Sequence, residues 1–359
     1  MKASRQQPSK SWLRRIDWVL IAILLIFAAI SILFIQSAMG GGQYSANFSI
    51  KQIIYYIFGF IIALGIMVVS PKRIMKYTYT LYGILCFLLI VLLIMPETAV
   101  TPTINGAKSW YSFGPISIQP SEFMKIVLIL MLAKIVSRHN KYTFNKSLET
   151  DFKLFFKLLV VSGIPMVLIF LQNDLGTTLV CLAIVVGVLI VSGISWKILA
   201  PIFLTILSIG AFFILSIIFK PSLIENGFGI KTYQLGRIAS WLDPYSYSSG
   251  DGYHLTESLK AIGSGQLFGK GLNHGEVYIP ENHTDFIFSV VGEEFGFIGA
   301  VVLIILFIIL MFHLVRLATK NTVIYNKIYI IGFMTLVLFH AVQNLSLIHI
   351  SEPTRQAEI

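Results

Sequence analysis

Four carboxylates lie close together in the sequence where a polar loop runs into a long apolar segment. They belong to Glu281, Asp285, Glu293 and Glu294 in the stretch YIPENHTDFIFSVVGEEFGFIGA. Asp285 is the candidate general base, because a carboxylate partly desolvated at this boundary is a stronger base; its alternative role is to cap the following helix. Glu293 and Glu294 lie about 12–13 Å further along a helix, too far to form a two-carboxylate pair with Asp285. We interpret them as buried acids that either have a structural role or belong to a water network.

A second pair of charged residues, Glu122 and Lys125, opens another apolar segment in the motif QPSEFMK. Their i, i+3 spacing places both side chains on one face of a helix. One interpretation is an ion pair that only holds helices together. The other is a polar cavity, because ionisable groups at membrane depth usually face the interior of a helix bundle. In such a cavity Lys125 would bind a phosphate as a point charge.

Two further polar motifs each allow a structural and a functional interpretation. Trp110 in NGAKSWYSFG is either an aromatic anchor at the membrane interface or a platform for a sugar or acyl chain. Asp174 in QNDLGT either only caps the helix that follows it or also binds substrate.

The glycine-rich stretch GSGQLFGKG does not predict a nucleotide site. It lacks the Gly-Lys-Ser/Thr ending of a phosphate-binding loop and follows no buried strand. We expect tight turns at the membrane surface, next to a short amphipathic helix near residues 255–262.

The elements that position these motifs are predicted by composition. The chain is 56% hydrophobic and only 12% charged, with a mean hydropathy of +0.81, whereas about a quarter of the residues of soluble domains are charged. We therefore expect an all-α, polytopic integral membrane protein. The predicted spans cover residues 18–37, 50–69, 77–95, 120–136, 155–171, 175–192, 196–219, 286–317 and 328–342. Cys86 and Cys181 lie inside spans, so we expect core side chains there, with no disulfide and no metal site.

The distribution of Lys and Arg predicts the orientation. Most of these residues lie in the N-terminal segment 1–17 and in alternate connections, which we place in the cytoplasm. The remaining connections, including a large loop at about 220–285, are then extracellular and contain the polar motifs. The basic residues are spread over several connections, so nothing predicts nucleic-acid binding.

Several motifs together resemble the signatures of the SEDS family. The segments that resemble it are NGAKSWYSFGPISIQPSEFMK, QNDLGT, GYHLTESLKAIGSGQLFGKGL and IPENHTDFIFSVVGEEFGFIGA. The resemblance covers residues 18–344, taken as the transmembrane domain, and implies ten spans, of which nine are present. The sequences of three motifs, AKSW, ESLKAIGSGQL and IPENHTDFIF, favour the elongation-type (RodA) branch over the division-type (FtsW) branch.

This resemblance implies a peptidoglycan glycosyltransferase of the bacterial cell membrane. Such an enzyme polymerises lipid II into β-1,4 glycan strands outside the cell, together with a class B penicillin-binding protein and other cell-elongation proteins. Lipid II carries an α-linked pyrophosphate, so a β product requires inversion with a single general base. The implied base is Asp285 of the HTDF motif. The implied cofactor is a divalent cation, Mg²⁺ or Mn²⁺, and ligation of that metal is the competing role of Asp285.

The resemblance also implies which residues bind substrate. Ser109 stands where many relatives carry Arg, and we expect the neighbouring Lys108 to supply that charge. The predicted substrate-binding residues are Trp110, Lys108, Glu122, Lys125, Asp174 and His283.

Two other classes of function remain open from the sequence. One is a transporter that flips lipid II across the membrane, and the other is a scaffold that recruits a transpeptidase. A transporter predicts charged groups along a path through the bilayer, whereas here the candidates gather in the outer connections.

The C-terminal residues depart from the family pattern. Residues 345–355, LSLIHISEPTR, match the translation of a transposase adapter used in DNA sequencing libraries. We therefore expect the native sequence to stop near Asn344 and residues 345–359 to be non-native.

Overall fold

The computed structural model describes residues 16–39, 47–104, 106–114, 116–143, 147–219, 253–279, 282–284 and 286–349. Asp285, Glu281 and residues 220–252 of the predicted extracellular loop lie outside the described residues. So do residues 1–15 and 350–359.

The described residues form ten α-helices and one antiparallel hairpin. The helices are α1 (Trp18–Ala38), α2 (Phe48–Val68), α3 (Pro71–Ile94), α4 (Pro120–Tyr142), α5 (Leu148–Leu171), α6 (Leu175–Val191), α7 (Trp196–Phe219), α8 (Tyr253–Ser264), α9 (Ile287–Lys320) and α10 (Ile324–His349). The hairpin pairs β1 (Tyr111–Phe113) with β2 (Ile116–Ile118).

Each of the nine predicted spans falls on one of these helices, and α8 covers the predicted amphipathic helix. In the described part of the chain, six helices are long and apolar enough to cross a membrane: α1, α2, α3, α5, α9 and α10. α6 and the first part of α7 are shorter apolar helices. The prediction of an all-α polytopic membrane protein is confirmed.

Helix α4 differs from the six apolar helices because protein surrounds it. Its buried positions run from Pro120 to Val136 and include Lys125. Such a helix needs no continuous apolar surface, since it faces few lipid chains. The predicted span 120–136 is therefore a core helix, and α4 continues beyond it to Tyr142.

The chain divides into two compact units. The first consists of Met1–Phe60 and Ala261–His313, and the second of Ile61–Lys260 and Leu314–Ile359. In the second unit, α4 and α6 pack against α10, and α4 also packs against α3 and α5. Close approach of α10 depends on small residues, because a Cβ at Gly332 would press on Ile129 and one at Gly187 would overlap Thr335.

In the first unit, α1 lies along α9. The rings of Phe27 and Phe307 are 4.8 Å apart, and those of Phe34 and Phe295 are 5.2 Å apart. At the start of α1, Asp17 caps the helix by accepting a hydrogen bond from the amide of Leu20.

Helix α9 is broken at Gly296, whose φ of 61° and ψ of −160° are not helical. A break leaves amides and carbonyls without helical partners, which is costly inside a membrane unless protein supplies others. The loop at residues 266–271 supplies them through four backbone hydrogen bonds. The pairs are Lys270 N to Glu293 O (2.9 Å), Gly271 N to Glu294 O (3.0 Å), Phe297 N to Gln266 O (2.9 Å) and Ile298 N to Leu267 O (3.2 Å).

The glycines of GSGQLFGKG make this pairing possible. Gly269 has a φ of +80°, and a Cβ there would overlap the backbone of Glu294 and Phe295. A Cβ at Gly265 would overlap the carbonyl of Gly292. The predicted tight turns are present, and the surface that they contact is the backbone of α9.

Candidate functional site

The predicted pair at the start of α4 forms an ion pair in the second unit. Pro120 is the first residue of the helix, which places Glu122 in the first turn and Lys125 one turn later. Lys125 Nζ lies 2.8 Å from both carboxylate oxygens of Glu122. The Lys125 side chain is 4% exposed, whereas that of Glu122 is 51% exposed. The lysine is therefore the desolvated partner, and the glutamate extends towards the surface.

A third member of this cluster, His340 on α10, was not predicted from the sequence. Its Nε2 lies 3.3 Å from Lys125 Nζ. A histidine within an apolar helix was the available signal, but 215 positions separate the two residues in the chain. Nothing in the local pattern indicates that they meet.

Asp174 caps α6, and it also joins α6 to the start of α4. Its carboxylate accepts hydrogen bonds from the Thr177 amide (3.0 Å), the Thr177 hydroxyl (2.8 Å) and Gln119 Nε2 (2.8 Å). Gln119 is the residue that precedes Pro120 as the N-cap of α4. The capping interpretation is confirmed. Both oxygens of Asp174 already accept hydrogen bonds within the protein. Binding of substrate by Asp174 stays a prediction.

Lys108 has a structural contact that the sequence did not predict. Its ammonium donates to the carbonyl of Met95, the C-cap of α3. The helix dipole stabilises a cation at this end of a helix. Its amide donates to the carbonyl of Gln172 at 3.1 Å. Trp110 is half-buried directly before the hairpin. The roles of Lys108 and Trp110 in binding substrate stay predictions.

Three buried polar atoms belong to residues beside these motifs. They are Ser109 Oγ, Ser121 Oγ and Gln172 Oε1, which have no hydrogen-bond partner among the described residues. Buried polar atoms are rarely left unpaired, so each such atom requires an explanation. Ser121 lies one turn before Lys125 on the same face of α4. The residues around Lys125 and Asp174 therefore provide hydrogen-bonding capacity beyond their own contacts.

His283 belongs to the first unit, whereas the other described candidates belong to the second. Its ring stacks on Phe48 of α2 with centroids 4.2 Å apart, and Lys51 Nζ lies 5.0 Å from the centre of the Phe48 ring. Asp285, the predicted base, follows this segment and lies outside the described residues.

Glu293 and Glu294 are buried in the first unit, as predicted. Glu293 Oε1 accepts from Lys270 Nζ (2.8 Å), the Glu276 amide (2.8 Å) and the Val277 amide (3.2 Å). The hydrogen bond to Glu293 raises the pKa of Lys270, which keeps this lysine charged. Glu294 accepts from the Ser37 hydroxyl. Both acids line a cavity of about 70 Å³. Their contacts fix the loop against α9, which supports a structural role.

The described residues contain no group of three or more His, Cys, Asp or Glu side chains that could hold a metal ion. Cys86 and Cys181 are free and buried, as predicted.

A family model and several known proteins match this chain. A family model for the FtsW, RodA and SpoVE proteins, described as "Cell cycle protein", matches residues 12–351. The probable peptidoglycan glycosyltransferase FtsW of Allochromatium vinosum is 34% identical over 267 residues, which cover 73% of this chain and 61% of that protein. The chain therefore spans less than two thirds of that relative's length.

Two solved structures have the same fold. One, described as "Structural coordination of polymerization and crosslinking by a peptidoglycan synthase complex", gives a TM-score of 0.72 at 26% identity, covering 92% of this chain and 86% of the other. The second is the rod shape determining protein RodA of Thermus thermophilus, with a TM-score of 0.62 at 26% identity and coverage of 93% and 85%. Because the family model matches nearly the whole length, this chain belongs to the SEDS family, the family of FtsW, RodA and SpoVE.

Proposed function

We propose that this chain is a glycosyltransferase that polymerises lipid II into β-1,4 glycan strands of peptidoglycan. The observation that carries the proposal is Lys125, a nearly fully buried cation fixed between Glu122 and His340. A preorganised buried cation stabilises a leaving diphosphate better than a mobile one in water does. In the same site, Trp110 is proposed to support a sugar of the substrate.

The proposed step is a single displacement. The oxygen of the acceptor 4-hydroxyl forms a bond to the anomeric carbon, and the bond from that carbon to the diphosphate oxygen breaks. The electron pair of the broken bond leaves with the diphosphate, and the hydroxyl proton passes to Asp285 as general base. The diphosphate leaves as an anion, so Lys125 contributes charge stabilisation and no proton.

The divalent cation stays a proposal based on the family resemblance. The described carboxylates of the site have other partners, since Glu122 pairs with Lys125, and Asp174 with Thr177 and Gln119. They do not form a ligand set for a metal among the described residues. Activity measured after EDTA treatment and again after addition of Mg²⁺ or Mn²⁺ tests the requirement.

The partner and the orientation belong to the same proposal. A similar solved structure is described as part of a peptidoglycan synthase complex that coordinates polymerisation and crosslinking. This supports a class B penicillin-binding protein as the partner of the present chain. The distribution of Lys and Arg supports a cytoplasmic N-terminus and an extracellular site.

The role in the cell is the point on which motifs and relatives differ. The motifs AKSW and IPENHTDFIF favoured the elongation-type branch, whereas the relative at 34% identity is named FtsW and the RodA structure is 26% identical. We therefore propose a division-type role ahead of an elongation-type role. Depletion in the source organism separates them, because loss of a division protein gives filaments and loss of an elongation protein gives rounded cells.

Polymerisation of labelled lipid II by the purified full-length protein tests the activity. We expect glycan strands from the wild type with its partner, and nearly none from Lys125→Ala. Lys153→Ala is the matched control, because Lys153 forms an exposed ion pair with Glu149. Movement of lipid II across vesicles without any polymer would support the transporter alternative.

A further inference from the structure

The contact between His340 and Lys125 indicates the protonation state of both side chains. A lysine ammonium only donates hydrogen bonds. His340 Nε2, 3.3 Å away, must therefore be the acceptor, with its ring neutral and the proton on Nδ1. A charged imidazolium would place two cations in contact inside the bundle. The geometry thus pairs a charged Lys125 with a neutral His340.

The donors of Lys125 can then be counted. Glu122 accepts one N–H through Oε1, and its Oε2 also lies 2.8 Å from Nζ. His340 accepts the second N–H. Among the described residues these are the contacts of Nζ, which leaves the third N–H for an anionic ligand.

Two acceptors also fix a side chain that is otherwise flexible. Lysine has a four-carbon stem, and ordering it costs conformational entropy. Glu122 comes from the same helix, so it restrains Lys125 only along α4. His340 comes from α10, which packs against α4, and supplies the restraint across the bundle. Together they fix the direction of the remaining N–H.

The polar surroundings of Lys125 independently indicate a ligand. Ser121, one turn earlier on α4, has a fully buried hydroxyl with no hydrogen-bond partner among the described residues. A diphosphate presents several acceptor oxygens, and it would satisfy this hydroxyl together with the third N–H of Lys125.

We propose that His340 is a positioning residue for the diphosphate of the lipid-linked substrate. It acts through Lys125 by accepting one N–H, so that another N–H is directed at the phosphate oxygens. This proposal rests on the proposed glycosyltransferase function and names a residue that the family motifs did not provide.

The test uses the full-length protein and three variants. His340→Gln keeps an acceptor oxygen at about the reach of Nε2, whereas His340→Leu fills similar space without an acceptor. His313→Gln is the matched control, because His313 is another helix histidine, paired with Asp17 in the first unit. Two quantities are measured for each: the kcat and KM of lipid II polymerisation, and the affinity for undecaprenyl diphosphate.

We expect His340→Leu to weaken diphosphate binding and lower kcat/KM by about 10- to 100-fold, the usual effect of a misplaced group. His340→Gln and His313→Gln should stay near the wild type. Equal losses in His340→Gln and His340→Leu would show that His340 only packs, and unchanged binding in His340→Leu would also overturn the proposal. If the wild type binds diphosphate in a His340-dependent way and makes no polymer, the proposed glycosyltransferase function fails and the positioning role survives.

Discussion

At the scale of single residues, Lys125 illustrates what a buried charge requires of its neighbours. Its side chain is 4% exposed, so its ammonium has exchanged water for protein acceptors. The pair of Lys153 and Glu149 has the same kind of contact at 2.6 Å, but its side chains are 71% and 76% exposed, so water competes with the contact. A Lys–Glu pair therefore holds a buried ammonium in place in α4, whereas in α5 it is only a solvent-exposed surface contact.

A double-mutant cycle should separate these two pairs. We expect Glu122→Gln and Lys125→Met each to reduce polymerisation strongly, with the double variant no worse than the poorer single variant, because the residues act as one unit. The Glu149→Gln and Lys153→Met cycle should show small, additive effects on the same rate. Additive losses in the Glu122 and Lys125 cycle would mean that they do not share a site.

Asp285 is the residue on which the chemistry of the proposal depends. Asp285→Asn keeps the size of the side chain but cannot accept a proton, so we expect polymerisation to fall by about 10²- to 10⁴-fold. Binding of lipid II should persist, since it requires no proton transfer. Long glycan strands at the wild-type rate would refute the assignment. Loss of activity together with loss of the metal dependence of lipid II binding would instead favour a role of Asp285 as a metal ligand.

At the scale of elements, the broken helix α9 depends on a loop that precedes it in the chain. The backbone of residues 266–271 pairs with both sides of the break at Gly296. Lys270 adds an ion pair with the buried Glu293. The loop and α9 therefore support each other. In the chain, Asp285 lies between them, two positions before α9 begins at Ile287.

Two alanine substitutions, one in this loop and one in the preceding helix α8, should have different effects on stability. Gly269→Ala forces a side chain into a φ of +80° and against the backbone of Glu294, so we expect a loss of about 1–3 kcal/mol. Gly263→Ala lies in α8 with open space around the new Cβ, and it should be neutral or stabilising by up to about 1 kcal/mol. Thermal unfolding in detergent measures both. Equal melting temperatures would mean that the loop does not brace α9.

The sequence predicted these elements unevenly, for physical reasons. Apolar composition located the nine predicted spans, because a bilayer requires long apolar runs. It predicted the C-terminal end of α5 at Leu171 but not its start, because the helix begins seven residues before the predicted span, where Ser147 and Thr150 form a capping box. The break in α9 was missed because a single Gly, here Gly296, is common in membrane helices and does not by itself predict a break. His340 was missed because its partner is distant in sequence.

At the scale of the whole molecule, the proposed function requires the polar motifs to face the cell exterior. Lys108, Trp110, Glu122 and Asp174 precede or begin helices at one end of the second unit. Helix α4, with 23 residues, is about 34 Å long, enough to separate the two sides of a bilayer. Residues before α4 and residues at its C-terminal end should therefore lie on opposite sides of the membrane.

Single cysteines at the two ends of α4 test this orientation. The native Cys86 and Cys181 are buried and should not react, so they can stay in place. Thr103 and Lys141 are both exposed, one before the hairpin and one in the last turn of α4. We expect Thr103→Cys to react with a membrane-impermeant maleimide on intact cells and Lys141→Cys to react only after permeabilisation. The reverse pattern would place Lys125 at the cytoplasmic face, where the proposed polymerisation of extracellular glycan could not occur.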